Sequence, residues 1–240
     1  MCSISFLPQP EGLFLAMNRD EQLSRAAALP PRTETCGRQR AIFPREPSGG
    51  TWIGVNENGL AAALVNWYAR THGAGRRSRG EIIPLVLGAA DLGEADCLMR
   101  TISTSAFNPF RLLLFSAHEK RAAMWSCADG VLERIAVSWT RAHWFSSGYD
   151  EASASAVRER TVVQAAAEAD AGSTDWVRRL HRSHTPAQGP FSLCMHREDA
   201  CTVSYTEVHA ADGSAECRYS AGSPCRQAES VSAKLLTDRP

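Results

Sequence analysis

The run TWIGVNENGLAAALVNWY, residues 51–68, carries the pair Asn58-Gly59 between two apolar stretches. Both residues tolerate φ > 0, which a two-residue hairpin turn requires, so the spacing predicts strands at 51–55 and 60–66 folded back on one another. A second hairpin is predicted where PQPE separates SISFL (3–7) from GLFLAM (12–17). The stretch between the two hairpins is Pro-rich and reads as irregular. From Gly80 to about Ile102 the apolar spacing turns helical, as two short helices broken near Gly93. Strand patterns return at 110–117, 121–127 and 131–138. Asp150 is placed to cap an Ala-rich helix running to about 169, and Ser173 or Thr174 a shorter one ending near HRSH (181–184). Three further strands are predicted at 191–196, 201–209 and 215–222, before a frayed tail.

The order is strands, helices, strands, helices, strands. It suits an α+β arrangement of two antiparallel sheets packed face to face with helices outside. A dinucleotide-binding fold is excluded, because no GxGxxG follows a strand and β–α alternation is absent. One domain is expected over 1–228, with 229–240 as the tail.

Twenty-six basic and 26 acidic residues give a formal net charge of zero, so no global field draws the chain to nucleic acid. The opening, MCSISFLPQPEG, lacks the basic start of a secretion signal, and its apolar run is broken by Pro8 and Pro10. No apolar window is long enough for a membrane span. A cytoplasmic protein is expected, and the preponderance of arginine over lysine reads as GC-rich bacterial coding. Eight cysteines are scattered without a CxxC pair, so no metal site is expected and most are read as reduced core residues.

Cys2 carries the sharpest chemistry. Removal of Met1 would leave its thiol beside a free α-amine whose ordinary pKa is near 8, and that amine can take the thiol proton. Such a nucleophile needs a carboxylate and a cation nearby to orient it. The predicted hairpin returns LAMNRDE alongside Cys2 and offers Arg19 and Asp20. The competing interpretation is an incidental cysteine and a solvated polar turn.

The motifs MCSISF, NRDE at 18–21, GGTW at 49–52 and the Asn-aromatic pair at 66–67 resemble those of the NRDE family, which includes the eukaryotic Transport and Golgi Organization protein 2. WFSSGYDE and FSLCMHREDACTVSYTEV are similar to segments of its bacterial members. The same N-terminal plan resembles choloylglycine hydrolases and penicillin V acylases, N-terminal-nucleophile hydrolases of four-layer αββα fold. The resemblance implies that Cys2 is the nucleophile, that Arg19 and Asp20 orient it, and that Asn66 is an oxyanion donor. It also implies a departure: those hydrolases have a second Asn where this chain has Ser147.

Other residues carry two readings each. Trp52 and Trp67 flank the site in sequence and are candidates to wall an apolar pocket, or plain packing. His181 and His184 are spaced to share a helix face, where they could hold metal or haem, or end a solvated helix. Cys194 and His196 would share one side of a strand, and His196 with Arg197 is a candidate for substrate contact. The run RRSRG (76–80) is either a phosphate-binding loop or a solvated one. Two functions survive: an amidohydrolase acting on a small-molecule, non-peptide amide without a cofactor, or a non-catalytic carrier of haem or an acyl lipid.

Overall fold

The computed structural model describes residues 2–70, 77–226 and 229–236. Strands β1 (Cys2–Gln9) and β2 (Gly12–Gln22) form the first hairpin, with Cys2 paired to Arg19 and Gln9 to Gly12. The β2 backbone lies so close to its other neighbour that a Cβ on Gly12 would sit 1.9 Å from the Ala210 carbonyl oxygen, and no other residue fits there without a shift.

Strands β3 (Leu29–Cys36), β4 (Gln39–Arg45), β5 (Ile53–Asn56), β6 (Leu60–Asn66), β7 (Phe110–Ser116), β8 (Arg121–Ala128) and β9 (Val131–Val137) form a seven-stranded antiparallel sheet in chain order. The hairpin of β5 and β6 forms, but its connection is three residues, 57–59, with Gly59 at φ 74° and Asn58 not at positive φ, so the turn is not the two-residue one expected. The Asn56 side chain fastens it: Oδ1 accepts from the Asn58 and Leu60 N–H groups, and Nδ2 donates to the Leu87 and Ala89 carbonyls. The Pro-rich stretch is therefore not irregular. It forms β3 and β4, because β3 is an edge strand and an edge tolerates the missing N–H groups of Pro30 and Pro31.

The second sheet takes β1 and β2 together with β10 (Ala142–Ser146), β11 (Ala200–Ala211), β12 (Ser214–Ala221) and β13 (Ser230–Leu236), in the order β10-β1-β2-β11-β12-β13. Two expectations are corrected here. Residues 230–236 are an edge strand paired with β12 rather than a frayed tail. Residues 191–196 are not a strand, apart from a single bridge between His196 and Cys201. Their backbone groups bond elsewhere: the Ser192 carbonyl accepts from Arg158, the Leu193 carbonyl from Asn18, and the Met195 N–H donates to Thr202.

Period-2 alternation sorts side chains into three cores. Ile4, Phe6, Leu13, Leu15 and Met17 face Ile53, Val55, Leu113 and Phe115 across the space between the sheets, where Phe6 stacks on Phe115 at 4.4 Å. Helices α1 (Ile82–Leu87) and α2 (Leu92–Arg100) cover the outer face of the seven-stranded sheet. The break between them falls at residues 88–91 instead of Gly93, since Asp91 caps α2 through the Glu94 N–H. Helices α3 (Glu151–Ala165) and α4 (Thr174–Arg182) lie on the other outer face, capped by Asp150 and Ser173. The layers run helix, sheet, sheet, helix, the αββα sandwich the resemblance implied. No helix among the described residues is long and apolar enough to cross a membrane.

Candidate functional site

Cys2 begins β1 and its side chain shares the inter-sheet face with Ile4 and Phe6. Alternation along β2 puts Arg19 on that same face and sends Asp20 to the other. A pocket of about 380 Å³ opens at this end, lined among others by Cys2, Arg19, Trp52, Asn66 and Arg79. Arg19 stacks over the Trp52 ring at 4.4 Å and is paired with Glu46 and, at 3.2 Å, Glu21. Arg25 binds the same two carboxylates. The cation beside the thiol is thus held rigidly by the wall opposite.

Asp20 works on the reverse side of the sheet. One carboxylate oxygen accepts from Thr202 Oγ1 at 2.6 Å and the other from Arg158 at 3.1 Å, in an ion pair whose side chains are both 0% exposed. From α3, Arg158 also donates to the carbonyls of Cys2, Ser146 and Ser192 and to Ser3 Oγ. One buried guanidinium therefore clamps the first strand, its neighbour β10 and Asp20. Burial pushes the Cys2 thiol above its ordinary pKa; the Asp20 carboxylate adds to that, while Arg19 and a hydrogen bond from the Asp20 backbone N–H act against it. The resting sulfur is a neutral thiol that needs a base before it can attack.

Asn66 ends β6 at the pocket and donates one amide hydrogen to the Tyr68 hydroxyl at 2.9 Å. Ser147 is buried beside Ser146, the residue paired with Cys2, and its hydroxyl accepts from the Tyr149 N–H. It is not among the pocket's lining residues, and neither is Trp67, which is sandwiched by Arg70 and Arg111. Arg197 lies over Tyr149 and pairs with Asp199, and His196 sits among cysteines away from this pocket. Trp52 does line it, but polar and charged residues make up most of the wall, so a purely apolar pocket is not what forms.

In the basic run, Arg77 to Gly80 reach the rim of the pocket, while residue 76 lies outside the described residues. Arg77 pairs with Glu81, and Ser78 caps the short turn there. Arg79 donates to the Pro109 carbonyl and has no carboxylate partner among the described residues; burial lowers its pKa. His181 turns inward to Ser5, so it and His184 do not act together.

Arg158 escaped sequence reasoning because nothing in EASASAVRERTVVQA distinguishes it from its solvated neighbours. The available signal was its place four residues after Ala154 and three before Thr161, the small residues of the buried face.

Two antiparallel sheets sandwiched by helices form the αββα fold of N-terminal-nucleophile hydrolases. The chain superposes on penicillin V acylase from Agrobacterium tumefaciens with a TM-score of 0.60 at 12% identity, covering 98% of this chain and 86% of that one. A mutant of conjugated bile acid hydrolase from Clostridium perfringens gives 0.61 at 11% identity, covering 98% and 92%. At such identities the likeness is one of fold. Residues 1–153 match the model of the Transport and Golgi organisation 2 family, and the chain belongs to that family. No curated protein matches it in sequence.

Proposed function

We propose that the protein is a hydrolase that cleaves a non-peptide carbon–nitrogen amide bond through Cys2. The observation that carries this reading is the pairing of a buried, pocket-facing Cys2 thiol with the Arg158–Asp20 clamp on its own backbone. Once maturation exposes the Cys2 α-amine, that amine takes the thiol proton and the sulfur attacks the amide carbon. The oxyanion of the tetrahedral intermediate meets the second amide hydrogen of Asn66, a type of donor worth about 3 kcal/mol. Collapse returns the proton to the leaving amine and breaks the carbon–nitrogen bond. Water then cleaves the thioester, releasing the acid and restoring the thiol. Arg79, without a carboxylate partner among the described residues, favours a substrate carrying an anionic group.

The expected result is that Cys2→Ala removes all turnover of acyl-amides with the fold intact by circular dichroism, and that intact mass of the active protein lacks Met1. Full activity in Cys2→Ala, or in protein retaining Met1, overturns the reading. Arg79→Gln is expected to raise KM for an amide bearing a carboxylate about tenfold, as loss of one charge-assisted contact implies, and to leave a neutral amide unaffected.

A second reading, an acyl or haem carrier, is favoured by an adjoining groove of about 470 Å³ lined by Leu23, Ala26, Ala28, Val203 and Tyr219, which shares Arg19 with the first pocket. Binding of a fatty-acyl ligand with equal affinity by the wild type and Cys2→Ala, with turnover in neither, would select it.

A further inference from the structure

Outside the Cys2 pocket, the described residues bring His184, Cys194, His196 and Cys225 together so that one potential ligand atom from each lies within 4.8 Å of all the others. We propose that these four side chains bind a structural zinc ion that staples the segment 183–199 to the connection between β12 and β13.

The separations match the ion. Zinc holds thiolate sulfur at about 2.3 Å and imidazole nitrogen at about 2.0–2.1 Å in a tetrahedron, which sets a sulfur–nitrogen edge of about 3.6 Å. The Nε2 atom of His196 is 3.5 Å from Cys194 Sγ and 3.5 Å from Cys225 Sγ. Two sulfurs and two imidazoles in a tetrahedral set select zinc over the harder cations, which prefer oxygen. The ring of His184 lies 5.1 Å from that of His196, and its Nε2 atom is buried with no hydrogen-bond partner, a loss that a metal bond would offset. Binding breaks two S–H bonds and passes both protons to water. Two thiolates then neutralise the divalent ion, so the half-buried cluster carries no net charge.

Four protein ligands leave no open position, which makes the ion structural rather than catalytic. Its position gives that role an object. The stapled segment presents the Ser192 carbonyl to Arg158 and the Leu193 carbonyl to Asn18, and the Met195 N–H to Thr202 Oγ1, whose own proton goes to Asp20. The zinc thus fixes the loop on which the Arg158–Asp20 clamp rests. Spacing concealed the site: the ligands fall at 184, 194, 196 and 225, far from any CxxC pattern.

The full-length chain, prepared metal-free under reducing conditions, is expected to bind one zinc per chain. Cobalt(II) in its place should give the intense visible bands of a tetrahedral ion together with near-ultraviolet thiolate charge transfer. Zinc should protect Cys194 and Cys225, and not Cys97, from alkylation. Cys2→Ser should bind the metal like the wild type, whereas Cys194→Ser and Cys225→Ser should each weaken zinc affinity at least a hundredfold. Because those variants test the ligands and the cobalt spectrum tests the intact chain, a misfolded variant does not decide the matter. An octahedral cobalt spectrum, absence of stoichiometric binding by the wild type, or a Cys194–Cys225 disulfide in protein whose thiols were trapped at lysis would each overturn the proposal.

Discussion

Asp20→Asn is expected to destabilise the folded chain by about 3–5 kcal/mol, the usual consequence of leaving one member of a buried ion pair without its counter-charge. The magnitude follows from burial. Asp20 and Arg158 have no exposed side-chain surface, so water cannot take over from the lost carboxylate. The amide of Asn still accepts from Thr202 or Arg158, which keeps the geometry but not the charge. Chemical denaturation of the variant gives the loss directly. Arg158→Met in the same background should not recover it, because the guanidinium also serves the buried carbonyls of Cys2, Ser146 and Ser192. A loss below about 1 kcal/mol would show that the pair is not buried as described. At the site, the same substitution is expected to slow alkylation of Cys2 by iodoacetamide more than the stability change accounts for, since the clamp holds the Cys2 carbonyl as well as Asp20. Parallel losses of stability and reactivity would mark NRDE as a purely structural part of β2.

The second large effect is acid lability. Ser5 Oγ lies 2.8 Å from both His143 Nδ1 and His181 Nε2, and its single proton serves one ring while the other ring donates to it. Burial pushes His181 down to about 3 and His143 down to about 4, with His143 adding to the former and Arg141 to the latter. Unfolded, both return to about 6.5. Each is a base whose folded pKa is depressed, so the unfolded chain binds more protons below pH 6.5. Stability is full above that value and falls by about 1.4 kcal/mol per pH unit for each ring as the pH drops towards 4. Between pH 7.5 and pH 5 the two together remove about 4 kcal/mol. Urea midpoints measured across that range should show the decline, and His143→Gln combined with His181→Gln should flatten it. An unchanged midpoint from pH 7.5 to 5 would mean that these histidines are already solvated in the folded chain.

Acid should therefore act first on the packing of α4 against β1, well before the carboxylates titrate. Glu207, on β11, is held well below the ordinary carboxylate range by Arg178, against the opposing effect of burial. Its contribution to stability is present above the ordinary carboxylate pKa near 4.3 and is lost only at lower pH. The two sets of groups are separated along the pH axis, and a titration distinguishes them.

The strand hairpins, the helix caps at Asp150 and Ser173 and the face-to-face sheets were legible in the chain alone, because alternation, turn chemistry and capping are local properties. The first hairpin was legible too, but the register that pairs Cys2 with Arg19 comes from a two-residue turn at 10–11, tighter than the PQPE separator suggests. Local pattern also misleads where long-range contacts decide. FSLCMH alternates like a strand, yet Asn18 and Arg158 claim its carbonyls; residues 230–236 look like a tail, yet β12 offers them an edge. The opposite faces of Arg19 and Asp20 follow from period two, but that Asp20 meets Arg158 across 138 residues does not. Nor does spacing reveal that His184 and Cys225 converge on Cys194 and His196. Each of these pairings joins segments whose separation along the chain carries no information about distance in space. Only the packing of α3 and of segment 183–199 against the six-stranded sheet brought them together, since buried charges and polar groups must find partners wherever the fold supplies them.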